Sequence, residues 1–241
     1  MNSVDALLVA SAVLSTACAA QPEDRPVHTE TSAGVLLDTA GCASIGWRSC
    51  IAEREAALMR VVPGVRRAGD TLEIGIRGRS SAKFISTPDS IEVGHSYVYY
   101  GYLPALRSHL VEVQLYEGGG FVLVSAATGR LLERDDRPVI APGGLRFATA
   151  SWDTEAGYNP NRAQIYRLAG DSAVLEWQAE PSSWGPTDVL WINESTLTFH
   201  RQPGLGTDSL RLSGITTVKL TASGWAADTF PNSVPKYLVT N

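Results

Sequence analysis

Residues 137–153 read RPVIAPGGLRFATASWD. An apolar pulse runs into a Pro-Gly-Gly corner, and a second pulse follows in which apolar and polar residues alternate. A period of two puts every second side chain on one face of a strand, while Pro presets one turn dihedral and Gly accepts a positive one. The segment is a β-corner, and the architecture depends on whether it stands alone or recurs.

It recurs. Placed over the later VLWINESTLTFHRQ with a one-residue slip in the corner, Leu145 and Phe147 fall on Leu197 and Phe199, and Ile140 stands near Trp191. The spacing of about fifty residues is that of propeller blades or other stacked sheets. Further alternating runs surround the pair: DTLEIGIRG, HSYVYYGYL, a hairpin about Gly118 to Gly120 in HLVEVQLYEGGGFVLVSAATGRLLE, AQIYRLAGDSAVLEWQ with its Ala-Gly-Asp turn, DSLRLSG and TTVKLTASGWAAD. The one convincing helix is SCIAEREAALMRV, with Ile51, Ala52, Glu55, Leu58 and Met59 on a stripe, Ser49 as its cap, and Pro63 and Gly64 at its end. The expected class is all-β, built of antiparallel sheets behind one short N-terminal helix.

PVIAPGGLRFATAS resembles the blade junction of the WD40-like and TolB-like β-propellers, which is written around a Ser-Pro-Asp-Gly corner. Ala141, Pro142, Gly143 and Gly144 occupy those four places. GFVLVSAATGRLLE, just before it, resembles the strand, Thr-Gly turn and strand that precede such corners. The likeness spans residues 110–201 and departs at Ala141 and Gly143, so the corner lacks the side-chain hydrogen bonds of the usual polar pair. It implies a propeller-like body. The alternative is a curved antiparallel sheet or partial propeller closed by the N-terminal helix.

Composition supports a folded chain with a full core: 241 residues, 44% hydrophobic and 19% charged, with 22 Gly and 13 Pro to supply turns. A net charge of −5 and the lack of a dense basic stripe argue against nucleic acid as a partner. The first twenty residues carry an apolar run from Ala6 to Leu14, too short to span a bilayer and suited to an export signal. LSTAC resembles a bacterial lipoprotein signal with Cys18 as the lipidated residue; cleavage after Ala19 or Ala20 is the competing reading. Residues 21–34 read as a flexible tether, and 35–241 as a single β-rich domain. Cys42 and Cys50 then remain as an even pair. In an oxidising compartment they can close a short loop worth about 2–3 kcal/mol; two reduced, buried thiols are the other reading, and metal binding lacks ligands. A periplasmic or envelope location follows from the export reading, with membrane contact only through a lipid.

No reaction is named by a motif. HExxH, paired CxxC and GxSxG are all absent. His28 falls in the tether, His95 and His109 at strand starts typical of surface residues, and His200 in a strand with its ring outward. Ser80 and Lys83 in SSAK sit in a turn, GLGTDS lacks a third glycine, and Asp153, Glu155, Asn159 and Asn161 of WDTEAGYNPN fit no EF-hand spacing. Asp135 and Asp136, flanked by Arg134 and Arg137, read as a solvated, internally neutralised turn. Trp177 and Trp191 read as core. What stands out is aromatic content near strand ends: Tyr97 and Tyr99 on one face of their strand, Tyr100 and Tyr102 on the other, and Trp152, Tyr158 and Trp184 in turn-rich segments.

These observations lead to the expectation of an exported, envelope-tethered, non-catalytic domain without cofactor or metal. It would bind another protein through Tyr100, Tyr102, Trp152, Tyr158 and Trp184. By association, an immunity protein or an inhibitor of a cell-wall-targeting enzyme is the leading form of that role. The alternatives are a propeller-type hydrolase or lyase with a site at the blade axis, and a structural envelope component.

Overall fold

A disulfide joins Cys42 to Cys50, and the chain around it forms α1 (Cys42–Ile45) and α2 (Trp47–Val61). The computed structural model describes residues 34–87, 94–154, 156–204 and 213–228. The export segment, Cys18, His28, most of the tether and the core of DSLRLSG lie outside the described residues. The helix begins two residues before the expected Ser49 cap. Gly46 takes the cap position, and the Ser49 hydroxyl donates back to the Gly46 carbonyl at 3.1 Å. Cys50, Ile51, Glu55 and Leu58 form the buried stripe, whereas Ala52 is exposed. Glu55 is tolerated there because Arg67 donates two hydrogen bonds to its carboxylate, at 2.9 and 2.6 Å, and the Tyr99 N–H a third at 2.6 Å. A buried charge without such partners would cost several kcal/mol.

Every strand among the described residues after the helix pairs antiparallel. A small sheet takes β1 (Val65–Ala68), β2 (Thr71–Ile74) and β3 (Ala82–Ile85) in order. Three four-stranded meanders follow. The first holds β4 (His95–Leu103), β5 (Ser108–Leu115), β6 (Gly119–Ser125) and β7 (Leu131–Arg134). The second holds β8 (Val139–Ile140), β9 (Arg146–Ser151), β10 (Arg162–Ala169) and β11 (Ser172–Ala179). The third holds β12 (Trp184–Asn193), β13 (Thr196–Pro203), β14 (Gly214–Thr221) and β15 (Gly224–Ala227). The fold is all-β, and its sheets do not close into a ring among the described residues.

The second sheet is shared by two cores. Phe147 and Tyr166, stacked at 4.9 Å, face the first sheet and join the core that includes α2 and the small sheet. Ala148, Ile165 and Trp177 belong to the other core, with Trp191, Leu197, Phe199 and Val218 of the third sheet. Pleat alternation explains the division, since neighbours along β9 point to opposite faces.

The opening corner is thus the start of a sheet and not a lone hairpin. Pairing corrects its overlay on the later stretch: Ile140 pairs with Phe147 and Trp191 with Leu197. Phe147 therefore matches Leu197, and each turns toward the preceding sheet. Leu145 is exposed whereas Leu197 is buried, so those two are not equivalent. The polar side chain missing from Gly143 is supplied by the next corner, where the Glu194 carboxylate accepts the Gly143 N–H. A Cβ on Gly143 would meet the end of that side chain, so an Asp there would require Glu194 to shift.

Candidate recognition site

Strand register defines two ends of the stack. Tyr102 pairs with His109 beside the β4–β5 turn, and Gln114 pairs with Gly119 beside the β5–β6 turn at the other end. The second end carries concave surface together with exposed aromatic rings, and it is built around residues 152–161, between β9 and β10.

The loop is organised by one carboxylate. Asp153 Oδ1 accepts the N–H groups of Ala156 and Gly157, both at 2.9 Å, and Oδ2 those of Tyr158 and Asn159 at 2.7 and 3.0 Å. These bonds, those from Asn159 and Gly157 foremost, stabilise the ionised form and hold its pKa down at about 2. The Asn161 side-chain oxygen accepts the Asp153 N–H at 2.7 Å, and that of Asn159 accepts the Gly119 N–H at 3.4 Å, which ties the loop to the neighbouring hairpin. The oxygens considered as calcium donors are thereby engaged with backbone, apart from Glu155, which lies outside the described residues. No group of three or more His, Cys, Asp or Glu suited to a metal ion occurs among the described residues. Tyr158 stands 53% exposed on the loop. Trp152 is 37% exposed, with its indole N–H on Thr154 at 2.9 Å and its ring so close to Gly185 that a Cβ there would meet it at 2.2 Å.

One concavity opens beside the loop, and a second shares Asp136 with it. The first, of about 280 Å³, lies between the first two sheets and is lined by Glu112, Gln114, Asp135, Asp136, Trp152 and Asn159, among others. The other, of about 550 Å³, runs toward the third sheet past Arg137, Val139, Val189, Leu190, His200 and Ile215. Leu190 and Ile215 are 63% and 57% exposed, so the apolar part of its otherwise polar wall is uncovered. Glu112 and Asp136 are both half-buried. Burial pushes both carboxyls above their usual range, and the mutual repulsion of the two charges adds to it for Glu112.

The five rings expected to share a partner site are not brought together. Trp152 and Tyr158 lie on this end. Trp184 begins β12 near them, but it is fully buried and stacked on Phe199 at 6.0 Å. Tyr100 is buried edge-on against Phe121, and Tyr102 sits at the opposite end beside His109. The expected alternation of the tyrosines fails because β4 shifts register between Tyr99 and Gly101, and Tyr99 and Tyr102 both turn to the His109 ring. His109 is not a surface residue. It is buried, its Nδ1 lies 2.9 Å from the Tyr99 hydroxyl, and burial pushes its pKa down to about 4.

Asp135 and Asp136 also depart from the solvated-turn reading. Asp135 pairs with Arg162 of β10 and not with its sequence neighbours, Asp136 takes the Arg137 N–H, and the Arg134 guanidinium lies over the Tyr166 ring at 4.1 Å. His200 is outward as expected, with Nδ1 3.6 Å from the Asp188 carboxylate. Sequence reasoning missed Glu112, Leu190 and Ile215. A charged residue within the apolar run of β5 was the available signal for Glu112, whereas the exposure of Leu190 depends on the bulge between Thr187 and Leu190. No helix among the described residues is long and apolar enough to cross a membrane. Compared with protein-family models, curated proteins and solved structures, the chain matches none.

Proposed function

We propose that this chain is a propeller-like protein-binding domain of the cell envelope, exported and tethered through its N-terminal segment, and that its partner docks on the end bearing Trp152 and Tyr158. The observation that carries the reading is the loop caged by Asp153, which presents exposed Tyr158 on ordered backbone, together with a concavity lined by Trp152 and Asn159 that shares Asp136 with a second one holding the exposed Leu190 and Ile215. Pre-ordered aromatic anchors lose little entropy on binding, and exposed apolar surface next to them is what a protein partner covers. The Cys42–Cys50 disulfide accords with an oxidising compartment. Blade-like meanders that turn equivalent residues toward the preceding sheet support the propeller-like form. An immunity protein or inhibitor, which blocks a cell-wall-directed enzyme by occupying its surface, is the form of this role that suits a small tethered domain.

The test is crosslinking capture from envelope extract, followed by identification of the captured protein. W152A/Y158A is expected to reduce its recovery about tenfold or more, as hot-spot truncation does, while the melting temperature stays close to that of the unaltered protein. Unchanged recovery would remove this end as the docking site.

A catalytic reading has one observation in its favour, His200 beside Asp188 on the wall of the larger concavity. Their side chains are 59% and 75% exposed and 3.6 Å apart. A working base is held by a close, desolvated partner, and this pair has neither feature. Binding is the better account.

A further inference from the structure

The half-buried and buried carboxylates Glu55, Glu73, Asp135 and Glu176 each meet an arginine within 2.9 Å. On the recognition end Asp135 keeps this pattern through Arg162, but the two carboxylates that line the same concavity beside it depart from it. Glu112, half-buried, is hydrogen-bonded by the Gln114 amide at 3.2 Å, and Asp136 by the Arg137 backbone N–H. Among the described residues neither forms an ion pair. Asp188, with φ at 51°, lines the larger concavity; its carboxylate accepts a hydrogen bond from the Thr187 hydroxyl at 3.1 Å and lies 3.6 Å from His200 Nδ1. Glu112 and Asp136, drawn partly out of water without an ion pair, are costly, and with the exposed Asp188 they make a surface complementary to a positive one. The uncovered Leu190 and Ile215 share the larger concavity with Asp136 and Asp188, which excludes a purely ionic contact.

We propose that the partner is a protein that meets this end through a cationic, aliphatic surface. Its Lys or Arg side chains enter the two concavities to pair with Glu112, Asp136 and Asp188, while apolar residues between them cover Leu190 and Ile215. This rests on the reading above that a protein docks at this end, and it adds the chemistry of that protein.

The probe is a fluorescein-labelled Lys-Leu-Lys-Leu-Lys peptide, with Glu-Leu-Glu-Leu-Glu as its anionic counterpart, titrated into the full chain. The cationic peptide is expected to bind and the anionic one not. Its affinity should fall about tenfold or more in E112Q/D136N/D188N, and by less than about twofold in E53Q/D70N/D171N, which removes the same charge from exposed positions elsewhere. In the unaltered protein the peptide should shift the Trp152 indole and Gly119 amide resonances, a readout that needs no substitution. Equal losses in the two triple variants, shifts confined to other regions, or absence of binding would overturn the charge assignment. If partner capture still depended on Trp152 and Tyr158, the docking end would stand without it. Loss of both dependences would remove the docking end as well.

Discussion

A single carboxylate can order a loop when its oxygens point at successive amides, and Asp153 does this for residues 156–159. Its folded pKa of about 2 lies below the ordinary 3.8. The ionised form is therefore the one the fold favours: its contribution is in place above pH 3.8 and is lost as the pH falls through about 2. D153N keeps the shape but offers one acceptor oxygen for four N–H groups and turns an N–H donor toward the others. Amide hydrogen exchange at Gly157, Tyr158 and Asn159 is expected to quicken by about tenfold or more in D153N. In the unaltered protein the same amides should lose protection only as the pH approaches 2. Protection that persists in D153N would mean that Asn161 and the Gly119 hairpin order the loop without the carboxylate.

At the scale of elements, the helix was legible because its apolar residues recur at helical spacing, and the strands because theirs alternate. What escaped were features set by tertiary contact. The start of α2 moved forward because Gly46, with φ at 98°, reverses the chain between two helices that the disulfide holds together. The tyrosine faces of β4 could not be read because the chain slips register at Gly101, where the N-terminal segment pairs through Leu36. A Cβ there would stand 2.3 Å from the Val35 carbonyl, so the glycine admits the incoming segment, and nothing local signals it. The disulfide itself was legible from the short gap between the two of the three cysteines that remain once Cys18 is assigned to the export segment. By closing so short a loop it removes unfolded-state entropy. C42A/C50A is expected to cost about 2–3 kcal/mol in urea unfolding, with a matching loss in the unaltered protein under reductant. A loss much below this would show that the unfolded chain keeps α1 and α2 together without the link.

For the whole molecule, stacking order explains why half the candidate site could be anticipated and half could not. Trp152 and Tyr158 follow β9 in a polar, Gly-containing loop, which places them at a sheet end from sequence alone. Glu112, Asp136 and Leu190 come from three different segments and line two concavities joined at Asp136 because the second sheet sits between the first and third. That shared sheet also sets how the molecule unfolds. Phe147 fills the core on one of its faces, and Phe199 the core on the other. Truncation of either buried ring leaves a cavity and is expected to cost about 3–5 kcal/mol. If β9 and β10 couple the two cores, F147A and F199A lower the same single thermal transition by similar amounts, and the near-ultraviolet signals of Trp152 and Trp184 move with it. If F199A instead splits the melt, with the third sheet lost first, the second core stands apart. The concavity that spans the second and third sheets would then open below the main transition, and partner binding would fail at that lower temperature.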